Sequence, residues 1–378
     1  MKKTRLEHGR VALGEPLPFS LYDDCNRLML KHGEILQSQS QLDRLIERGL
    51  FFDEIFEETP QKAAERVPIY ARVSELAATF EFLIDNAAPD YGGALEVAGQ
   101  IRELCELDAD AALANVQLDL TGRPSLRQSF RAAVLTELLL KRLGHSDEIR
   151  RHAVAGALTM NIGILDLQDL LYEQSDALTL EQKQAIVTHP RAAIKLLREQ
   201  GIDHPVWLDV VEHHHEMIDG SGYPKRLLKD DLSIESQVVS LADRYCAMIA
   251  PRKHRAGLLP SIAVKELLSR QSATLDPSLA TAFLKELGIY PPGTVVSLAN
   301  GEVAIVVKRL LKLEHPMVRS LRSLQGIRYT DPPKRVTSAP AYAIKEALEA
   351  DMAKGFDLAM LWRPIQVDEA DNEATGAG

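Results

Sequence analysis

The stretch His213-His214-His215-Glu216-Met217-Ile218-Asp219-Gly220-Ser221-Gly222-Tyr223-Pro224 decides how the rest of the chain is read. Three consecutive histidines with acids beside them are suited to metal binding. Adjacent side chains on a helix point about 100° apart, so neighbouring imidazoles serve two metals, or one metal and its surroundings, more easily than one site. The second half of the stretch holds two glycines free to take positive φ and a proline that stops a helix, which describes a tight, shaped loop.

Outward from this loop the pattern is helical. Between about residues 69 and 288, apolar positions recur at helical spacing, as in Leu76, Phe80, Leu83 and Ile84, or Leu95, Ala98, Ile101, Leu104 and Cys105. A long helix is expected from Ser125 to Leu143, ending at Gly144, and another from His152 to Ile162, followed by an acidic turn at Asp166 to Asp169. Thr179 with Gln182 reads as a capped helix start for a segment ending at Val187, and Pro190 as the first residue of the next helix. Near Pro291 the period changes. Thr294 to Leu298, the turn Asn300-Gly301, and Val303 to Val307 predict a β-hairpin, with a further strand at Met317 to Leu321 and a helix over Tyr342 to Ala353.

The first 58 residues read as a small α/β unit. Strands are expected at Leu17 to Tyr22 and Arg27 to Leu30 around a turn at Asp23 to Asn26, then a helix ending near Gly49. Residues 59–68 read as a linker and 368–378 as a disordered tail. The expectation is therefore a mainly α protein: a helical bundle over 69–310, a small N-terminal domain, and a C-terminal extension over 311–367 that begins as a hairpin.

Composition excludes several classes. With 46% apolar residues the chain is globular, and its net charge of −10 disfavours broad nucleic-acid binding. Cys25, Cys105 and Cys246 are widely spaced, which reads as reduced thiols rather than a disulfide framework. No run of 18 apolar residues occurs, so neither membrane insertion nor export is expected, and the cytoplasm is the expected location.

The run His214-His215-Glu216-x-x-Asp219-Gly220-x-Gly222-Tyr223-Pro224 resembles the signature of the HD-GYP family, bacterial phosphohydrolases that linearise cyclic di-GMP. The resemblance extends over roughly residues 95–310, through Ala242-Asp243, Arg252 and Tyr290-Pro291-Pro292-Gly293-Thr294. It implies an HD-domain fold with metal ligands at His189, His214, His215 and Asp243. It also implies a phosphate-facing pair at Arg252 and Arg255, with Tyr223 at the ligand, and an interaction loop of Asp219, Gly220, Gly222, Tyr223 and Pro224 that meets GGDEF-type cyclase partners.

Several family positions are altered. The phrase Ala157-Leu158-Thr159-Met160-Asn161-Ile162-Gly163-Ile164 places Met160 and Asn161 at the name-giving His-Asp pair and Ile164 at the lysine. Gln128 and Pro124 stand where an earlier helix supplies a histidine and sometimes a glutamate, and Cys246 replaces an aspartate. A thioether and an amide are poor ligands for a hard hydrolytic metal. The residual set suits at most one divalent transition metal (Fe, Mn or Zn), or none.

Simpler readings stand beside these. His189 before Pro190 suits a helix cap as well as a ligand, Arg252 and Arg255 belong equally to a solvated charge run, and Asp166 or Asp169 is a conceivable substitute ligand. His145, His152 and His204 read as surface residues. Three functions remain open: a non-hydrolytic binding or scaffolding module, a reduced-metal phosphodiesterase, and a cyclic di-GMP receptor that does not cleave. A homo-oligomer is compatible with each.

Overall fold

In the computed structural model, the described residues are 67–269 and 272–363, with shorter segments between 3 and 53. The chain divides into two compact units, Met1–Arg66 and Val67–Gly378.

The first unit contains a sheet of order β1-β4-β2-β3, formed by β1 (Lys3–Arg5), β2 (Leu21–Tyr22), β3 (Leu28–Leu30) and β4 (Phe51–Asp53), with helix α1 (Gln39–Glu47). Leu6, Leu17, Leu21, Leu36 and Leu42 are its buried cluster. The turn at Asp23 to Asn26, the linker and the tail expected from the sequence lie outside the described residues.

The second unit is a helical bundle followed by a sheet. Its helices are α2 (Ile69–Ile84), α3 (Ala94–Leu107), α4 (Ala109–Leu118), α5 (Pro124–Arg142), α6 (Asp147–Thr159), α7 (Leu165–Glu173), α8 (Leu180–Glu199), α9 (Pro205–His213), α10 (Ile234–Ile249), α11 (Pro260–Ser269) and α12 (Pro277–Leu287). The long α5 is central, with Leu126, Phe130, Val134, Leu135, Leu138 and Leu139 buried in the main core. Short α/α connections keep neighbours packed, and Gly156 allows α6 and α9 to touch, since a Cβ there would meet Val210 Cγ1 at 2.8 Å.

The β-hairpin at Asn300-Gly301 forms as expected, with Gly301 at φ 85°. It is the centre of a larger structure. Strands β5 (Val295–Leu298), β6 (Val303–Lys308), β7 (Met317–Arg322), β8 (Lys334–Val336) and β9 (Ile344–Leu348) make a five-stranded antiparallel sheet of order β8-β7-β6-β5-β9. A short helix α13 (Leu358–Leu361) follows, and Trp362 after it stacks on Tyr70 of α2 at 5.4 Å, tying the sheet end to the bundle.

Three local expectations are corrected. Tyr342 to Ala353 is not one helix: Ile344–Leu348 is strand β9, held by pairing along β5, and Ala350–Ala353 is a short 3-10 turn. Asp166 to Asp169 lies inside α7 rather than in a turn; Asp166 falls in its first turn, where the helix dipole favours an acid. Pro190 lies in the interior of α8, and the capped start at Thr179 continues past Val187 to Glu199 as one helix.

Candidate metal centre

The proline in α8 positions the first candidate ligand, His189. Pro190 has no N–H to offer the carbonyl four residues earlier, that of Ile186. That carbonyl accepts instead from His189 Nδ1, at 2.6 Å. The bond fixes the ring's tautomer and leaves Nε2 as the lone-pair nitrogen. His189 is thus held in mid-helix as a ligand would be, not as a cap.

The second candidate ligand arises where α9 ends. His214 is the residue that closes this helix, its Nδ1 bonded to the Val211 carbonyl at 2.9 Å, which again leaves Nε2 free to face His189. Trp207 Nε1 donates to Thr159 Oγ1 at 2.8 Å and sets α9 against the end of α6. The two Nε2 atoms stand 3.2 Å apart. Two imidazole lone pairs held that close repel unless a proton or cation lies between them. The separation matches two nitrogens bound to one metal at about 2.0–2.1 Å.

His215 completes the group. Its ring centroid lies 5.1 Å from that of His189 and 4.1 Å from that of His214. Among the described residues, His189, His214 and His215 form the one group of three or more such side chains whose ligand atoms converge, all within 4.8 Å. Burial pushes His189 down to about 4 and His214 down to about 3, the latter helped by His189, and His215 well below its ordinary value. All three are neutral imidazoles at pH 7, the protonation state that binds a metal, so the residues fit a single divalent transition metal.

The acid expected beside them is engaged elsewhere. Asp243 on α10 is buried, and its Oδ1 accepts from Gln128 Nε2 of α5 at 2.7 Å. Burial raises its carboxyl above the usual range, with Gln128 and Arg244 acting against that. Gln128 therefore occupies one oxygen of Asp243 with an N–H donor, which favours the ionised carboxylate without supplying a counter-charge. Asp243 stands outside the converging group.

Met160, at the end of α6, is fully buried in the main hydrophobic core. Asn161 is buried and donates to Ser129 Oγ at 3.4 Å; Ile164 is buried at the start of α7. This turn presses on the metal site's helix: a Cβ on Gly163 would lie 2.7 Å from the His189 carbonyl oxygen. The turn that carries Met160 and Asn161 thus packs on α8 at His189 through Gly163. Asp166 and Asp169 are not aimed there. Both pair with Arg123, and Asp169 also accepts from the Ser125 backbone at the start of α5.

The loop is organised by Glu216, to which sequence reasoning assigned no role. Its buried carboxylate accepts from the backbone N–H groups of Lys225 (2.5 Å), Arg226 (3.0 Å) and Leu227 (3.0 Å). Gly222 packs so tightly against this anchor that a Cβ would stand 2.5 Å from Glu216 Cα, the His215 carbonyl and Met217 N. Gly220 takes φ 76°, and Asp219 Oδ1 accepts from Ser221 N at 3.0 Å. The outcome is that Tyr223, joined to Pro224 by a cis peptide, lays its ring on His215 at 4.6 Å. Burial, with Asp243 nearby, holds the Tyr223 phenol up.

His213 faces away from the group. Its Nδ1 binds Asp209 Oδ1 at 2.8 Å, and its Nε2 meets Lys225 Nζ at 3.2 Å, so it braces the loop from the other side. Arg252 and Arg255 are exposed on a small turn, with Arg252 N bonded to the Arg255 carbonyl at 2.8 Å and the Arg255 guanidinium to the Ala247 carbonyl. His145 pairs with Glu235, while His152 and His204 stack at 3.4 Å, all three partly exposed.

Residues 113–279 match the HD domain family. A cyclic di-GMP phosphodiesterase of Pseudomonas aeruginosa is 26% identical over 286 residues, covering 75% of this chain and 66% of that protein. The cyclic di-GMP phosphodiesterase PdeB of Borreliella burgdorferi is 25% identical over 179 residues, 47% of each chain. The chain thus spans from about half to just under two thirds of these relatives' own lengths. An HDG"Y"P protein of Bdellovibrio bacteriovorus superposes over 75% of this chain and 99% of its own, with TM-score 0.49 and 16% identity. No helix among the described residues is long and apolar enough to cross a membrane. Residues 113–279 thus carry an HD domain, and with its His214-His215-Glu216 to Gly222-Tyr223-Pro224 segment the chain is similar to HD-GYP proteins.

Proposed function

We propose that this protein is a non-hydrolytic HD-GYP module of cyclic di-GMP signalling, working by binding rather than by cleavage. The observation that carries the reading is the 2.7 Å bond from Gln128 to Asp243. A family histidine position is occupied by an amide, and that amide engages the carboxylate a second metal would need. Met160, buried in the apolar core, and the neutral Asn161 remove the bridging His-Asp pair on the same side.

His189, His214 and His215 would hold one Fe, Mn or Zn ion. When bound, such an ion supplies Lewis acidity toward a phosphate oxygen. The chain's own groups then position rather than react: Tyr223 covers one face of His215, and Arg252 and Arg255 are free to meet the phosphates of cyclic di-GMP. The Glu216-braced loop, with Asp219, Gly220, Gly222, Tyr223 and Pro224, is the surface offered to a GGDEF-type cyclase or another cytoplasmic signalling partner.

A second reading has its own support. Three neutral imidazoles whose nitrogens converge within 4.8 Å favour a phosphodiesterase working with a single metal. The decisive experiment measures metal per chain in protein purified without added metal and assays the same sample for cyclic di-GMP hydrolysis. The binding reading expects one metal or fewer, lost in His214→Ala, with no turnover and calorimetric cyclic di-GMP binding that weakens in Arg252→Ala. Turnover that disappears in His214→Ala would replace it with the enzyme reading.

A further inference from the structure

On another side of α5, away from the histidines, a cavity of about 460 Å³ is bounded by α2, the end of α4, the 119–122 loop and α5. It shares no lining residue with the metal centre. Arg127 and Arg131, one turn apart on α5, both line it, with Phe82 and Phe130 as aromatic wall.

The charges are arranged unusually. Arg123, just before α5, draws three carboxylates: Asp85, Asp166 and Asp169. Arg127 and Arg131 bind no carboxylate. Arg127 donates to the carbonyls of Leu120, Thr121 and Gly122 and to the Tyr172 hydroxyl, and Arg131 to the Asp119 carbonyl. Arg131 is 3% exposed, and its buried Nε has no hydrogen-bond partner. The Asp119 carboxylate acts on it through space but makes no bond to it, and a buried guanidinium so weakly paired is costly in principle and suited to recruiting an anion. Burial, and Arg127 beside it, push Arg131 down to about 10.

The acids around the cavity are already committed. Glu81 accepts from Arg123 N; Asp85 pairs with Arg123; Asp119 accepts from Ser74, Thr121 and Asn115. None of them is hydrogen-bonded through its carboxylate to Arg127 or Arg131, and they repel any ligand that spreads negative charge along its length. What fits is one compact dianionic head on a body without further charge. Phe82, 76% exposed, and the buried Phe130 offer that body an aromatic surface. Gly122 shapes the wall: it takes φ 79°, and a Cβ there would overlap the Glu81 carboxylate.

We infer that this cavity binds a compact organic phosphate monoester, its phosphate held by the forks of Arg127 and Arg131 and its body resting against Phe82 and Phe130. The site is separate from the histidine centre and stands whether or not that centre hydrolyses anything. Guanosine monophosphate serves as the probe, with guanosine and inorganic phosphate for comparison. Calorimetry is run on full-length, metal-stripped protein carrying Arg252→Ala and Arg255→Ala, so that the exposed pair cannot answer. Saturable binding of the monophosphate is expected, with weaker binding of inorganic phosphate and none of guanosine. Arg131→Met and Arg127→Gln should each weaken it at least about tenfold, the loss of one charge-assisted contact. Circular dichroism checks the fold of Arg131→Met, and the half-buried Arg127→Gln decides the matter if that variant does not fold. Absence of saturable binding, or affinity unchanged in both folded variants, overturns the assignment.

Discussion

Replacing Glu216 by alanine should open the Gly-Tyr-Pro loop without unfolding the bundle. The carboxylate accepts three backbone N–H groups, from Lys225, Arg226 and Leu227. A hydrogen bond to a charged group contributes about 1.5–3 kcal/mol net, so three set an upper bound of roughly 5–9 kcal/mol. The side chains of Lys225 and Arg226 are exposed, and water reaches that edge of the loop, so most of the lost bonding is recovered from solvent. A local loss of about 2–4 kcal/mol remains. Amide hydrogen exchange reads this directly: residues 225–227 should exchange about 30- to 700-fold faster, at 1.4 kcal/mol per tenfold. Amides in the middle of α5 should keep their protection, and Glu216→Gln, which retains one acceptor oxygen, should fall between the two. Unchanged exchange at 225–227, or a uniform rise across loop and core, would refute the view that Glu216 is the loop's own anchor.

Three further outcomes are expected. Gly222→Ala forces a methyl against backbone atoms at 2.5 Å and should cost about 1–3 kcal/mol, seen as a lower Tm, while Ser221→Ala on the exposed side should change little. In metal-free protein, His189 has a folded pKa of about 4 against 6.5 unfolded, so the unfolded chain takes up the proton first on acidification. That contribution is fully present above about pH 6.5 and lost progressively as pH falls through about 4, on the order of 3 kcal/mol for His189; urea midpoints from pH 7.5 to 4 check it. Finally, restoring the ligands in a Gln128→His, Met160→His, Asn161→Asp variant should raise bound metal toward two per chain by elemental analysis. It should also lower the Tm of the metal-stripped form, because ionisable groups then occupy a buried site.

Where the sequence pattern is local, it and the structure agree. The Thr179 and Gln182 capping box forms with both bonds, and the Asn300-Gly301 hairpin turns where expected. The long helix expected from Ser125 to Leu143 is α5, which is buried all round from Ser129 to Leu140. Pro190 shows why a local rule fails: a proline is tolerated in mid-helix because a histidine side chain takes over the carbonyl it leaves unpaired. Ile344 to Leu348 were misread because their partner, β5, lies about 50 residues away and helical propensity cannot report it. The role of Glu216 was illegible for a similar reason. An acid after two histidines looks like another ligand, and only the fold of the loop turns it toward backbone N–H groups. The three histidines themselves were legible from motif alone, but the capture of Asp243 by Gln128 required knowing that α5 and α10 face each other.

The contact between Tyr223 and His215 has a thermodynamic consequence. The loop meets the imidazole group through the Tyr223–His215 ring pair, the Tyr223 N–H to His215 carbonyl bond and the packing of Gly222 on that carbonyl, so a partner that displaces the loop would also act on the group proposed to hold an ion. If a partner that grips Tyr223 changes the affinity of the histidines for their ion by some factor, the ion changes the affinity for that partner by the same factor. Under the proposed binding role, the supply of ion would then be read out as complex formation.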